Sequence, residues 1–454
     1  MALQSIDPFN GTIIARYEQM NRATVETIIH NTSRAQGTWR RSEPDERTRC
    51  LANLAAVFRE RAVHCAELMA KEMGKPVTQG LAEIQKCAAC CDYYAENAEA
   101  LLLPQHVKTE ATRSYVCMEP LGVILAIMPW NFPFWQVVRC AVPAHLAGNA
   151  IILKHAANVS GCALALERLF HDAFPPDLFR CLLLPSSRID EVLSHGEIKA
   201  VSLTGSTAAG RQVASQAAFL LKKAVLELGG SDPYVILEDA DLPSAVTTCV
   251  AARMVNSGQS CIAAKRFIAV KPIRARFEEM LVAQMAKISF ANPLLEGEHF
   301  GPLASLSGRD VLHQQVQKCL NQGAQLRLGG ILPKGPGSFY PATVLSGVVP
   351  GMIAAEEELF GPVAAILSAE NEEQAIALAN ATGFGLGAAV FTKDTARGET
   401  IARDKLQAGS CFVNDYVRSD PRLPFGGIKE SGYGRELSSY GFREFTNIKT
   451  IFVK

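Results

Sequence analysis

Residues 121–155, LGVILAIMPWNFPFWQVVRCAVPAHLAGNAIILKH, decide how the chain folds. An apolar run from Leu121 to Met128 is stopped by Pro129. A helix-compatible interval follows from Phe134 to Leu146, and a second apolar run, AIILK, closes the unit. Strand, helix and strand in this order predict a parallel sheet covered by helices, with its ligand at the carboxyl ends of the strands. The alternation continues through helix 160–173, strand CLLL, strand AVSLT, helix 208–219 and strand KAVLEL.

A second alternating set starts at Tyr234 with YVIL and runs through helix 240–256, KRFIAV, helix 274–287, TVL, VAAIL, helix 371–380, GAAVF and helix 394–406. The expected fold class is α/β, two doubly wound parallel-sheet domains, with the boundary close to Gly229-Gly230. Before this alternation the chain reads as a short extended segment and two helices. One spans Asp45 to Met73, with Gly74 and Pro76 as its stop, and the other ends near Leu101. A polar linker covers Pro104 to Ser114.

Composition narrows the partners. Among 454 residues Lys+Arg and Asp+Glu both number 45, which gives no general attraction to nucleic acid or an anionic membrane and leaves a small molecule as the expected ligand. The amino terminus, MALQSIDPFNGTIIARY, lacks the basic and apolar regions of a signal peptide, and the strip Leu121 to Met128 is too short to span a bilayer. Thirteen scattered cysteines fit reduced thiols, so the expected location is the cytoplasm. Cys87, Cys90 and Cys91 contain a CxxC spacing, but Leu81, Ile84, Ala88, Cys91 and Ala95 make one apolar helical face, and no second pair supplies a zinc site. No metal is expected.

Two reactive side chains stand beside glycines: Glu227 in VLELGG and Cys261 in NSGQSCIAAKR. Glycine lets the backbone turn sharply and approach a ligand closely. The pair suggests a thiol nucleophile with a carboxylate partner on opposite walls of an interdomain cleft. The glycine-containing turn and helix-adjacent setting are compatible with activation of the thiol, because a lowered thiol pKa needs local dipoles or positive groups.

The strings MPWNFPFWQ, LTGSTAAGR, LELGGSDP, NSGQSCIAAKR, EEELFGPV and PFGGIKESGYGRE, in this order and spacing, resemble the aldehyde dehydrogenase superfamily from end to end. The chain looks most like bacterial succinate-semialdehyde dehydrogenases of the shorter form, in which the cofactor lysine is followed by His-Ala, as in LKHA here. The resemblance implies an aldehyde dehydrogenase-like fold. Residues 1–100 and 119–230 would form the NAD(P)-binding domain and 231–430 the catalytic thiol domain, with 101–118 and 431–454 as a small β oligomerisation arm. A homodimer or homotetramer is expected from that arm.

It also implies oxidation of an aldehyde with NAD or NADP. Cys261 would attack the aldehyde carbon, and the Asn131 amide with the Cys261 N–H would hold the resulting oxyanion. Glu227 would activate the water that hydrolyses the thioester. For the cofactor, Lys154 would hold the adenosine ribose, Gly205 and Ser206 would face phosphate at a helix start, and Glu358 with Phe360 would meet the nicotinamide ribose. Trp130 would line the cofactor passage. Ala157 stands where NAD-preferring relatives often carry a glutamate, so NADP should be tolerated, and His155 is a candidate for added phosphate affinity.

Arg139 would clamp the distal carboxylate of succinate semialdehyde. A second arginine of some relatives is replaced by Val255, and Arg418 or Ser419 is the expected substitute. A broad-specificity or other semialdehyde dehydrogenase is the alternative within the family. A cofactor-independent thiol esterase and an inactive structural member are the alternatives outside it.

Overall fold

Two mainly parallel sheets, each with one antiparallel edge pairing, organise the computed structural model, which describes residues 2–295, 297 and 299–454. The six-stranded sheet runs, in spatial order, through Gly432–Tyr433, Lys223–Glu227, Ile198–Thr204, Val123–Met128, Ala150–His155 and Phe179–Cys181. All its pairings are parallel except that of Gly432–Tyr433. The order reverses between Val123–Met128 and Ile198–Thr204, and a crevice forms where the connections leave such a switch point in opposite directions.

The seven-stranded sheet runs through Gln325–Leu328, Thr343–Val348, Val363–Ala369, Arg266–Val270, Pro233–Ile236, Gly387–Phe391 and Ser410–Val413. Strands buried on both faces send alternate residues to opposite cores. Val123, Leu125 and Ile127 enter one core while Ile124, Ala126 and Met128 enter another. Val235 and Leu237 likewise part from Tyr234 and Ile236.

The amino-terminal region differs from the two helices expected. Helix Arg22–Trp39 precedes them, capped by the Asn21 side chain on the Thr24 N–H and burying Val25, Ile28, Ile29 and Trp39. The expected helix over Asp45 to Met73 is two helices, Pro44–Glu60 and Ala62–Met73, broken at Arg61 (φ −94°, ψ 9°). Leu51, Leu54, Phe58, Cys65 and Met69 pack into one core across the break, which is why their spacing reads as continuous. Cys87, Cys90 and Cys91 are fully buried on helix Val77–Glu96, and among the described residues no His, Cys, Asp and Glu cluster could hold a metal.

Thr446–Val453 pairs antiparallel with Arg113–Pro120 along its whole length, and Gln105–His106 completes a three-stranded sheet. The segment just before it, assigned to the same arm from the sequence, packs elsewhere: Gly432–Tyr433 extends the six-stranded sheet, and Leu437, Phe442 and Phe445 join the main core. No helix among the described residues is long and apolar enough to cross a membrane.

Candidate active site

Cys261 follows a turn that few sequences tolerate. After helix Leu242–Met254, Asn256 (φ 53°), Ser257 (φ 55°) and Gly258 (φ 77°) are all left-handed, and for two non-glycine residues in succession this is strained backbone. Hydrogen bonds hold the turn. The Asn256 N–H donates to Gln79 Oε1 at 2.9 Å, its side-chain amide to the Asn131 carbonyl at 2.8 Å, and the Ser257 hydroxyl to the Gly301 carbonyl at 3.0 Å. A side chain at Gly258 would collide with the Gly361 carbonyl, so the thiol turn and the EEELFGPV segment touch through backbone.

The Asn131 amide is oriented from both sides. Its Nδ2 donates to the Gln259 carbonyl at 3.0 Å and its Oδ1 accepts from Gln136 Nε2 at 3.0 Å. One amide N–H therefore remains for an oxyanion, as a carboxamide carries two donors.

Burial pushes the Cys261 thiol up to about 12, against the downward pull of Arg139 and Lys265. Lys265 is buried and donates to the Ser260 carbonyl at 2.9 Å and the Cys261 carbonyl at 2.7 Å, while pairing with Glu358 at 3.2 Å. The turn supplies position, and the local cations do not offset desolvation.

Glu227 ends its strand 2% exposed, and neither carboxylate oxygen meets a protein donor among the described residues. Burial, then the Glu436 carboxylate, raise it well above the usual carboxylate range, against Arg139 and Arg435. A Cβ at Gly426 would lie 2.7 Å from Glu227 Oε1, so the PFGG glycine makes room for the carboxyl group. Glu436 also pairs with Arg139.

The cofactor candidates gather around the crevice. Trp130 and Phe360 meet edge to face at 5.7 Å. Glu358 accepts from the Gly230 N–H at 3.2 Å, and a Cβ at Gly230 would lie 2.6 Å from the Cys261 carbonyl oxygen. Gly205 follows strand Ile198–Thr204 directly, Ser206 caps helix Thr207–Phe219 through the Ala209 N–H, and a Cβ at Gly205 would meet only Leu203, at 3.6 Å. Lys154, at the end of its strand, donates to Ser186 Oγ at 3.1 Å. His155 is not available to a phosphate: its Nε2 bonds the Pro133 carbonyl at 2.9 Å, its Nδ1 accepts from the Ala156 N–H at 2.9 Å, and burial lowers it to about 4.

A cavity of about 730 Å³ opens on Cys261, with Phe132, Trp135, Val255, Phe300, Tyr416 and Phe425 among its apolar lining and Lys86, Arg139 and Ser419 among its polar lining. Arg139 has a partner that its spacing did not announce. Its guanidinium pairs with Glu436, donates to Thr204 Oγ1 at 3.2 Å and lies over the Phe425 ring. Arg418 is exposed, and its guanidinium is taken by Asp415 at 2.6 Å. Ser419 is buried and accepts from Lys86 Nζ at 2.8 Å and Trp135 Nε1 at 3.0 Å. Sequence reasoning passed over Lys86, Lys265 and Glu436. Lys265 and Glu436 lie inside CIAAKR and GYGRE, segments of the motifs that carry Cys261 and the glycine-rich carboxyl-terminal stretch, and that placement is the signal for them.

The chain matches the aldehyde dehydrogenase family model over residues 1–451. The chain belongs to that family. It is 44% identical over 449 residues to the succinate semialdehyde dehydrogenase Sad of Escherichia coli (strain K12), whose name gives NAD(P)+ as cofactor, covering 99% of this chain and 97% of that protein. It is 42% identical over 454 residues to a probable NADP(+) succinate-semialdehyde dehydrogenase of Synechocystis sp. (strain ATCC 27184 / PCC 6803 / Kazusa), covering 100% of both chains. Its fold is similar to the crystal structure of succinic semialdehyde dehydrogenase from Streptococcus pyogenes in complex with NADP+, with TM-score 0.97, 33% identity and 100% of each chain covered.

Proposed function

We propose that the protein oxidises succinate semialdehyde to succinate with NAD+ or NADP+. The carrying observation is the cavity that joins Cys261 to a cationic and hydroxylic wall, Lys86 and Ser419, and so suits an aldehyde with a distal carboxylate. Full-length similarity to succinate-semialdehyde dehydrogenases supports the same reading.

The chain's residues fit a nicotinamide dinucleotide. The backbone at Gly205 is open, Lys154 spends one donor on a neutral hydroxyl, and Glu358 stands with Trp130 and Phe360 near Cys261. Residue 157 is Ala, so no carboxylate there opposes a 2′-phosphate. When bound, the dinucleotide supplies the hydride acceptor.

Cys261 loses its proton to solvent water through the open cavity, and its sulfur then bonds to the aldehyde carbon. The remaining Asn131 amide hydrogen and the Cys261 N–H hold the oxyanion; losing one such donor typically costs about 10²–10³ in rate. Once the carbon has been oxidised to the thioester, Glu227 takes a proton from water, oxygen bonds to the acyl carbon, and the sulfur leaves.

The exposed face of Thr446–Val453, with Ile448 60% and Phe452 51% exposed, supports pairing into a homodimer or homotetramer. Thirteen free cysteines agree with a cytoplasmic setting. The activity test is an aldehyde panel with each nucleotide, read as reduced-cofactor absorbance. Succinate semialdehyde should exceed pentanal in kcat/KM, and equal values for the two would remove the substrate assignment. Ester cleavage without nucleotide would favour the thiol esterase instead.

A further inference from the structure

Glu83, on the wall of the Cys261 cavity, and the neighbouring Glu436, Asp415 and Asp420 each already have a cation, whereas one cation on that wall has no carboxylate. Glu83 is spent on Lys75 and on the N–H groups of Phe134 and Trp135, at 2.9 Å and 3.0 Å, where it also faces the amino end of helix Trp135–Leu146. Glu436 pairs with Arg139, Asp415 with Arg418, and Asp420 with Arg422. Lys86, on helix Val77–Glu96, pairs with no carboxylate among the described residues. Its ammonium lies 4.4 Å from the Trp135 ring centroid and donates to Ser419 Oγ.

The hydroxyl of Ser419 adds a directional argument. A serine oxygen has two acceptor lone pairs and one O–H. Lys86 and Trp135 both donate to this oxygen, at 2.8 Å and 3.0 Å. Both acceptor positions are then filled, so the O–H is free to be donated, and its donation is strengthened by the cation behind it. Lys86 keeps two further N–H donors. An ammonium and an uncommitted O–H on residues that line one cavity wall form a receptor for an anion with two oxygens.

We infer that Lys86, acting with the Ser419 hydroxyl, binds the distal carboxylate of the aldehyde substrate and is the principal determinant of its specificity. Arg139 stands behind this receptor with its charge committed to Glu436. Most of the remaining lining is apolar and the charged groups on it are already paired, so an uncharged aldehyde would leave Lys86 without a counter-ion, and the site would discriminate against it. This inference rests on the proposed carboxylated substrate.

The test compares wild type, Lys86→Met, Lys86→Gln and Lys86→Arg for succinate semialdehyde and pentanal. Both neutral variants should raise KM for succinate semialdehyde about 10- to 100-fold with a smaller change in kcat, the loss expected for a hydrogen-bonded charge. The preference for succinate semialdehyde over pentanal should fall by a similar factor, and Lys86→Arg should restore part of it. If Lys86→Met does not fold, the near-isosteric Lys86→Gln gives the same readout. A preference kept at the wild-type level in the neutral variants would overturn the role of Lys86 alone. A wild type that shows no preference would instead contradict the proposed substrate.

Discussion

At the scale of residues, the reacting pair is defined by its neighbours. Glu227 and Glu436 are two buried carboxylates beside Arg139, and burial, then the Glu436 carboxylate, raise Glu227 well above the usual carboxylate range, against Arg139 and Arg435. Base catalysis needs the carboxylate, and Arg139 is the cation that favours it. Arg139→Ala should therefore do more than weaken substrate binding. It should lower turnover of succinate semialdehyde and pentanal alike and destabilise the fold by roughly 3–5 kcal/mol, the usual cost of removing one partner from a buried pair. Thermal melts and parallel kinetics check this; an effect confined to KM for the carboxylated aldehyde would return Arg139 to direct carboxylate binding. The sequence places Arg139 eight positions after Asn131 but shows nothing of Glu436 beside it, because that contact joins residues distant in the chain.

At the scale of elements, what was legible followed from periodicity. Strands buried on both faces read as apolar runs, and the unit 121–155 appears as strand Val123–Met128, helix Trp135–Leu146 and strand Ala150–His155. What was missed lacks that signal. Helix Leu306–Asn321 buries only Leu312, Val316 and Cys319, and strand Ser410–Val413 is half-buried throughout. The break at Arg61 has no proline or glycine to mark it. The turn before Cys261 was legible as a glycine-bearing turn, but not as three consecutive left-handed residues, because Asn256 and Ser257 hold that conformation through partners far along the chain. Lys86 was hidden for a similar reason: it occupies an unremarkable polar position on a helix, and only the fold brings it to Ser419. If the exposed edge Thr446–Val453 pairs with a second subunit, sedimentation at micromolar concentration will show a dimer or larger species, and a monomer would contradict that role.

For the whole molecule, burial of neutral imidazoles ties stability to pH. His155 is locked neutral by an acceptor on one nitrogen and a donor on the other, and His145 is fully buried; burial lowers both from 6.5 to about 4. Between these values the unfolded chain binds more protons, so stability is complete above pH 6.5 and is lost as pH falls toward 4. Each histidine should cost on the order of 2 kcal/mol at pH 5. The melting temperature should fall between pH 7 and pH 5, and less steeply in a folded His155→Gln variant; an identical slope would exclude His155 as a source.

The central claim is a covalent path in which Cys261 carries the acyl group and Glu227 is needed to release it. Mixing Glu227→Gln with succinate semialdehyde and NADP+, then quenching in acid, tests it by intact mass and by reduced-cofactor absorbance. The predicted result is one rapid turnover of reduced cofactor with a succinyl adduct on Cys261, and no adduct in Cys261→Ala. Loss of that first turnover, with Cys261 unmodified, would place Glu227 in the attack on the aldehyde and contradict the account.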